Sequence, residues 1–169
     1  VTVTIRLKGD QKKLCKATRI AIVMDVSGSL QAWHAQVTAA VFNALPLITP
    51  SVDKIAIASF NQGFNVLQNW TNDLNLVQSA FAKIKPGGGT NLPKAISETN
   101  LLMQQISGSS DCMAALIITD GQDDMPSYES LKMAQTNGWN YFFLGVGTQI
   151  KNNLQTMANQ SGGKYLDSE

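Results

Sequence analysis

Apolar positions recur along the chain with two different periods, and the switches between them mark the elements. Residues 1–8 (VTVTIRLK) alternate strictly, with Val1, Val3, Ile5 and Leu7 on one side, which predicts a half-buried strand. Residues 9–17 carry Gly9, Asp10 and three lysines and predict a solvated connection. Residues 19–25 (RIAIVMD) are almost continuously apolar and end on an acid, as expected of a central parallel strand buried on both faces. The period then lengthens. Leu30, Trp33, Val37, Val41 and Leu45 fall on one helical stripe over 30–45, and Pro46 and Pro50 stop it. Residues 54–60 (KIAIASF) read as a second buried strand. Asn61-Gln62-Gly63 reads as a turn, and 64–70 (FNVLQNW) as an antiparallel edge strand.

The alternation continues. A short helix is predicted at 73–84, then a Pro-Gly-Gly-Gly-Thr loop at 86–90, then a longer helix at 92–106. Leu92, Ala95, Ile96, Thr99, Leu102, Met103 and Ile106 mark the inner face of that helix, and Pro93 sits in its permitted first turn. After a polar loop at 107–111, strands are expected at 114–119 (AALIIT), 140–146 and 164–167, with helices near 128–137 and 149–159 between them. Strand and helix alternating from residue 18 onward predict an α/β fold of the Rossmann-like, doubly wound kind. Its six-stranded sheet is mostly parallel, with one antiparallel edge strand and helices on both faces. Residues 1–16 would form an extra N-terminal strand and linker, and 17–169 the domain proper. Right-handed crossovers place the loops that follow the parallel strands along one edge, where ligand sites of such sheets lie.

Composition narrows the function classes. The chain has 169 residues, enough for one domain with a substantial core. Thirteen basic and twelve acidic residues leave a formal charge of +1, which gives no electrostatic reason to expect nucleic acid or an acidic membrane as partner. No apolar run approaches the roughly 18 residues of a membrane span, so no membrane insertion is expected. The first residue is Val rather than Met. That leads to the expectation of an excised or processed piece, a monomer or part of a larger multidomain chain.

Chemistry-bearing side chains gather at the predicted ligand edge. The strand at 19–25 runs into Asp25-Val26-Ser27-Gly28-Ser29, the glycine-rich loop ends in Thr90, and the strand at 114–119 is followed by Asp120-Gly121. The donors are carboxylates and hydroxyls without thiol or imidazole, a set that suits Mg²⁺, Mn²⁺ or Ca²⁺ and disfavours zinc. Spacing of i, i+2, i+4 lets Asp25, Ser27 and Ser29 point into one concavity, with Gly28 expected to allow a tight turn between the serines. The competing reading of 25–29 alone is an Asp/Ser turn that caps a helix.

The ordered set Asp-x-Ser-x-Ser, a threonine in GGGT and an aspartate in ITDG resembles the von Willebrand factor A domain with its metal-ion-dependent adhesion site, over about residues 17–167. The resemblance implies that Ser27, Ser29 and Thr90 coordinate an ion directly or through water, while Asp25 and Asp120 act largely through bound water and hydrogen bonds. It implies Mg²⁺ as the resident ion, with Mn²⁺ or Ca²⁺ as possible substitutes. It also implies a non-catalytic role, in which the ion joins the domain to an acidic residue of a partner protein. The usual C-terminal helix of the family is expected to be absent, since few residues follow 167. A strand similar to 1–8 precedes the A domain in some intracellular RING-bearing ubiquitin ligases, which leans the compartment toward intracellular. In the family's sheet order the strands after Cys15 and Cys112 are neighbours, at the end opposite the metal. A bridge there is sterically open if the Cα atoms lie within about 7 Å, and two free thiols are the expectation.

Two other functions compete. In a scaffold domain, the metal would only steady the top loops. A hydrolase would need a nucleophile, base and orienting acid, yet there is no G-x-S-x-G, and the single histidine, His34, sits one turn past Ser29 in a helix. His34 is expected as a packed or surface residue. Asp123, Asp124 and Tyr128 either rim the site or belong to a solvated loop. Trp33, Trp70 and Trp139 are expected in or beside the core.

Overall fold

A computed structural model describes residues 15–47, 52–106, 111–121, 123–147 and 151–167. The strand expected at 1–8 and Pro50 lie outside them. Six strands form one sheet in the order β3-β2-β1-β4-β5-β6. They are β1 (Thr18–Asp25), β2 (Lys54–Phe60), β3 (Phe64–Thr71), β4 (Cys112–Thr119), β5 (Asn140–Gly145) and β6 (Lys164–Asp167). Only the β2–β3 pair is antiparallel. The doubly wound, mostly parallel sheet is therefore the fold observed.

Strand alternation sorts the core into two layers. Ile20, Ile22 and Met24 of β1, with Ile55 and Ile57 of β2, pack on one face under α1 (His34–Ala44) and α2 (Leu74–Phe81). Ala21 and Val23, with Ala56, Ala58 and Ala115, face the other side under α3 (Leu92–Gln104). Leu131 of α4 (Tyr128–Thr136) and Leu154 of α5 (Lys151–Ser161) complete that layer. Small side chains beneath α3 let a helix approach the sheet closely, while the opposite layer is filled by larger aliphatic groups. The inner face read for α3 is correct in detail. Leu92, Ala95, Ile96, Thr99, Leu102 and Met103 are buried, and Ile106 packs against them.

The first helix departs from expectation. A 3-10 turn, Gly28–Leu30, precedes it, and α1 itself starts at His34 rather than at residue 30. Leu30 N–H bonds to Ser27 O and Gln31 N–H to Gly28 O, so the chain is wound more tightly here than an α-helix allows. Leu30 still packs in the core, which is why its stripe reads as helical.

The cysteines are joined, correcting the expectation of free thiols. Cys15 and Cys112 form a disulfide with Cα atoms 5.4 Å apart. The register supplies the reason. Thr18 lies opposite Cys112 in the parallel β1–β4 ladder. The Cys112 N–H bonds to Ala17 O at 2.9 Å, so the segment entering β1 runs beside the start of β4.

Candidate metal centre

β1 carries Asp25 to the carboxyl edge of the sheet, two residues past Val23 on the Ala21 face. β4 carries Thr119 there on the matching face, two residues past Ile117. Met24 is paired with Ile118, so Asp25 and Thr119 are neighbours one step further along. The Thr119 hydroxyl donates to Asp25 Oδ2 at 2.7 Å, and the Ser27 N–H donates to Asp25 Oδ1 at 2.8 Å. Thr119 Oγ1 in turn accepts the Gly121 N–H at 3.0 Å. The Asp25 side chain is fully buried, and both donors are neutral groups.

Burial pushes the Asp25 carboxyl above its ordinary range. The hydrogen bonds from Ser27 and Thr119 oppose that shift, and the negative charge of Asp120 adds to it. Asp120 is itself 6% exposed. Two acids are thus held close together at low solvent access, an arrangement that becomes favourable when a cation joins them.

Ser27 and Ser29 place their hydroxyl oxygens 3.1 Å apart. Ser27 occupies the N-cap position of the 3-10 turn, yet its side chain makes no capping bond, and the N-cap of α1 is Trp33. The helix-capping reading of this segment is therefore set aside. Gly28 is not needed for a tight turn, contrary to expectation. It lacks a positive φ, and a Cβ there would meet only Gly88 O at 3.8 Å, an ordinary contact.

The glycine-rich loop is laid against this segment by backbone bonds. Gly87 N–H donates to Val26 O at 2.7 Å, and Gly28 N–H donates to Gly88 O at 3.1 Å. Asn61 in the β2–β3 turn donates from Nδ2 to Gly87 O at 3.0 Å. Gly88 has φ +86° with Asn61 packed against it, a position that only glycine fills without strain. Thr90, two residues further on, is half-buried beside the N-cap residue of α3, Asn91. These contacts bring Asp25, Ser27 and Ser29 together, with the loop that carries Thr90 tied to them. Asp120 lies near enough for its charge to act on Asp25.

The donor set fits a hard divalent ion on two grounds. Two oxygens at adjacent vertices of an octahedral Mg²⁺ shell lie about 3 Å apart, close to the Ser27–Ser29 spacing. Asp25, held by neutral donors alone, lacks a countercharge of its own among its bonded partners. Among the described residues, no three His, Cys, Asp or Glu side chains form a cluster able to hold an ion. Any ion at this edge would therefore depend on the hydroxyls.

Two residues here escaped the sequence reading of the site. Thr119 had a signal, a hydroxyl residue just before Asp120, but its role depends on strand register. Asn61 was read only as a turn residue. Asp123, expected at the rim or in a solvated loop, is half-buried, and its Oδ2 accepts the Leu92 N–H at 2.5 Å. Asp124 is exposed, as is Tyr128, over whose ring Lys132 Nζ sits 5.4 Å from the centroid. His34 is half-buried, its Nε2 makes no hydrogen bond, and burial lowers its pKa. Trp139 is buried, and Trp70 donates from Nε1 to Leu102 O at 3.1 Å.

The sequence model described as von Willebrand factor type A domain matches residues 20–122, more than half of the chain. That span runs from β1 past Asp120. No curated protein matches the chain in sequence. Solved structures do resemble it. One is an aerotolerance-related membrane protein from Bacteroides fragilis NCTC 9343, 17% identical, with TM-score 0.75 and coverage of 90% of this chain and 92% of that one. Another is a von Willebrand factor type A protein from Catenulispora acidiphila, 16% identical, with TM-score 0.78 and coverage of 92% and 39%. A third is the manganese-loaded TRAP protein of Plasmodium vivax, 17% identical, with TM-score 0.69 and coverage of 91% and 70%. At these identities the likeness establishes the fold alone. No helix among the described residues is long and apolar enough to cross a membrane.

Proposed function

The chain belongs to the von Willebrand factor type A domain family, and from that premise we propose that it is a divalent-ion-dependent protein-binding module. The observation that carries this reading is the buried Asp25 carboxylate, bonded only by neutral donors and pressed by the charge of Asp120. Ser27, Ser29 and Thr90 would hold Mg²⁺ through their hydroxyl oxygens, and Asp25 and Asp120 through water. Mn²⁺, which loads the similar TRAP protein, or Ca²⁺ could substitute. When bound, the ion supplies a strongly electrophilic vertex to which an Asp or Glu of a partner protein attaches.

The chain's own residues prepare that vertex. Thr119 and the Ser27 N–H fix both oxygens of Asp25, so the carboxylate cannot swing in to close the coordination shell. The serine and threonine hydroxyls bring no charge and leave the ion unneutralised by its nearest ligands. The partner's carboxylate is then the natural anionic ligand. We read the role as recognition rather than catalysis: the Ser27 hydroxyl lies between Ser29 and Asp25, and the His34 Nε2 makes no hydrogen bond to serve it as a base.

The joined cysteines favour an oxidising compartment over the intracellular lean. The similar structures lend that lean no support, and one of them is called a membrane protein.

The test is capture of partners from the native source with Mg²⁺, with EDTA, and with Ser27→Ala protein in Mg²⁺. Partners lost in both the EDTA and Ser27→Ala arms support ion-bridged recognition. Partners retained in both would make this a scaffold whose ion only steadies the loops.

A further inference from the structure

Asp123 is the residue whose bonds the candidate site leaves unexplained. Its carboxylate reaches across 31 positions of sequence to the Leu92 N–H at 2.5 Å. Its own N–H bonds to Gly121 O at 2.9 Å, next to Asp120. One residue therefore grips both arms of the edge: the β4–α4 loop through its backbone, and the start of α3, just past Thr90, through its side chain.

Accounting for the first turn of α3 explains why that grip is needed. A helix leaves its leading N–H groups without internal partners. Pro93 has no N–H to satisfy. Lys94 N–H bonds to the Asn91 side chain at 3.0 Å, and Ala95 N–H bonds to Asn91 O at 3.1 Å. Leu92 is the amide left over, and the Leu92 residue is 1% exposed. No water can reach it easily, and no side chain of its own helix serves it. Asp123 supplies the acceptor from another loop, and its negative charge suits the positive end of the helix.

We infer that Asp123 is a positioning residue for ion binding: by capping Leu92 it sets the Thr90 arm against the Asp120 arm. The inference rests on the ion-site reading above. Asp123 acts through its hydrogen bond and does not touch the ion. Its charge is secondary to its role as acceptor, because an amide oxygen can cap the same N–H.

Three forms of the full chain test this: wild type, Asp123→Ala and Asp123→Asn. Each is titrated with Mn²⁺ by calorimetry and followed without metal by amide hydrogen exchange at Leu92. Alanine should weaken Mn²⁺ binding by about tenfold or more, as loss of a residue that orients ligands does. Asparagine should stay close to wild type, since Asn and Asp cap helices about equally well. Leu92 should exchange slowly in wild type and Asp123→Asn and quickly in Asp123→Ala. The inference is overturned if Asp123→Ala binds Mn²⁺ like wild type. It is also overturned if Asp123→Asn is as weak as Asp123→Ala, which would mean that charge rather than the bond acts. Wild type that takes up no Mn²⁺ would defeat the ion-site reading instead. The exchange measurement would then still decide whether Asp123 holds the α3 arm, and unchanged Leu92 protection in Asp123→Ala would refute that too.

Discussion

At the start of the β1–β4 pair, Cys15 is bonded to Cys112, Arg19 pairs with Asp111 at 3.1 Å and the Thr18 N–H reaches Asp53 at 2.8 Å. At the other end of the same two strands, Asp25, Ser27, Ser29 and Thr119 meet through hydrogen bonds among hydroxyls, amides and a buried carboxylate. The first end is cross-linked covalently and ionically. At the second end, Ser27 and Ser29 share a contact between hydroxyls, Ser27 also bonds to Asp25, and the buried carboxylate has no countercharge among its bonded partners. The contrast teaches where the fold keeps its stability and where it withholds it. One end makes the sheet durable, and the other stays poised for something from outside.

The largest effect should come from cutting the durable end. The bridged cysteines are 97 residues apart, and closing a loop of that size restricts the unfolded chain by about 4–5 kcal/mol. Replacing both cysteines with serine should lower unfolding free energy in urea by most of that amount while leaving divalent-ion affinity nearly unchanged. A loss below about 1 kcal/mol would show that the bridge adds little.

At the poised end, Thr119→Val removes the donor to Asp25 Oδ2 and the acceptor for Gly121. Leaving a buried carboxylate oxygen short of a bond should cost about 2–3 kcal/mol. Unlike the serine replacements, it should also weaken Mn²⁺ binding by about tenfold. Equal Mn²⁺ affinity in wild type and Thr119→Val would erase the distinction between the two ends.

Asp25→Asn should move stability in the opposite direction. The amide oxygen can still accept the Ser27 N–H, and the amide nitrogen can donate to the Thr119 hydroxyl. Without divalent ions this variant should be about 1–2 kcal/mol more stable than wild type at neutral pH, and it should no longer respond to Mg²⁺. The pH dependence follows from the raised pKa. Between the ordinary carboxylate value of 3.8 and its higher folded value, Asp25 holds its proton more tightly folded than unfolded. Metal-free stability from this group therefore falls as pH rises through that window and is level above it. Thermal melts of wild type and Asp25→Asn across that range, in EDTA, should differ by this slope, with the variant lacking it.

The smallest effect should be at Asp111. Asp111→Asn keeps an acceptor for Arg19, and Arg19 also donates to Val52 O at 2.6 Å. The loss should be about 1 kcal/mol or less, with no change in ion affinity.

The hydrophobic pattern carried most of the fold, because a strand buried on both faces and a one-sided helix leave different periods. RIAIVMD and AALIIT were legible for that reason, and so was the inner face of α3. The start of α1 was not, because Leu30 sits on a helical stripe while its backbone follows a tighter turn. In the site, Asp25, Ser27, Ser29, Thr90 and Asp120 are visible as residue types in order. Thr119 and the Cys15–Cys112 bond were hidden because both depend on which residue of β4 lies beside which residue of β1. Asp123 was visible as an acid beside the site, but its bond was hidden for a related reason: its partner is a backbone N–H, which no side-chain pattern announces.

The central claim is that the Asp25–Ser27–Ser29 end of the sheet, with Thr90 and Asp120, holds a divalent ion. Calorimetric titration of metal-free wild type and Ser27→Ala protein with MnCl₂ and MgCl₂ tests it most directly. Saturable uptake of a single ion by wild type, abolished in Ser27→Ala protein that melts like wild type in EDTA, is the predicted result. No uptake by wild type, or equal uptake by both, would contradict it.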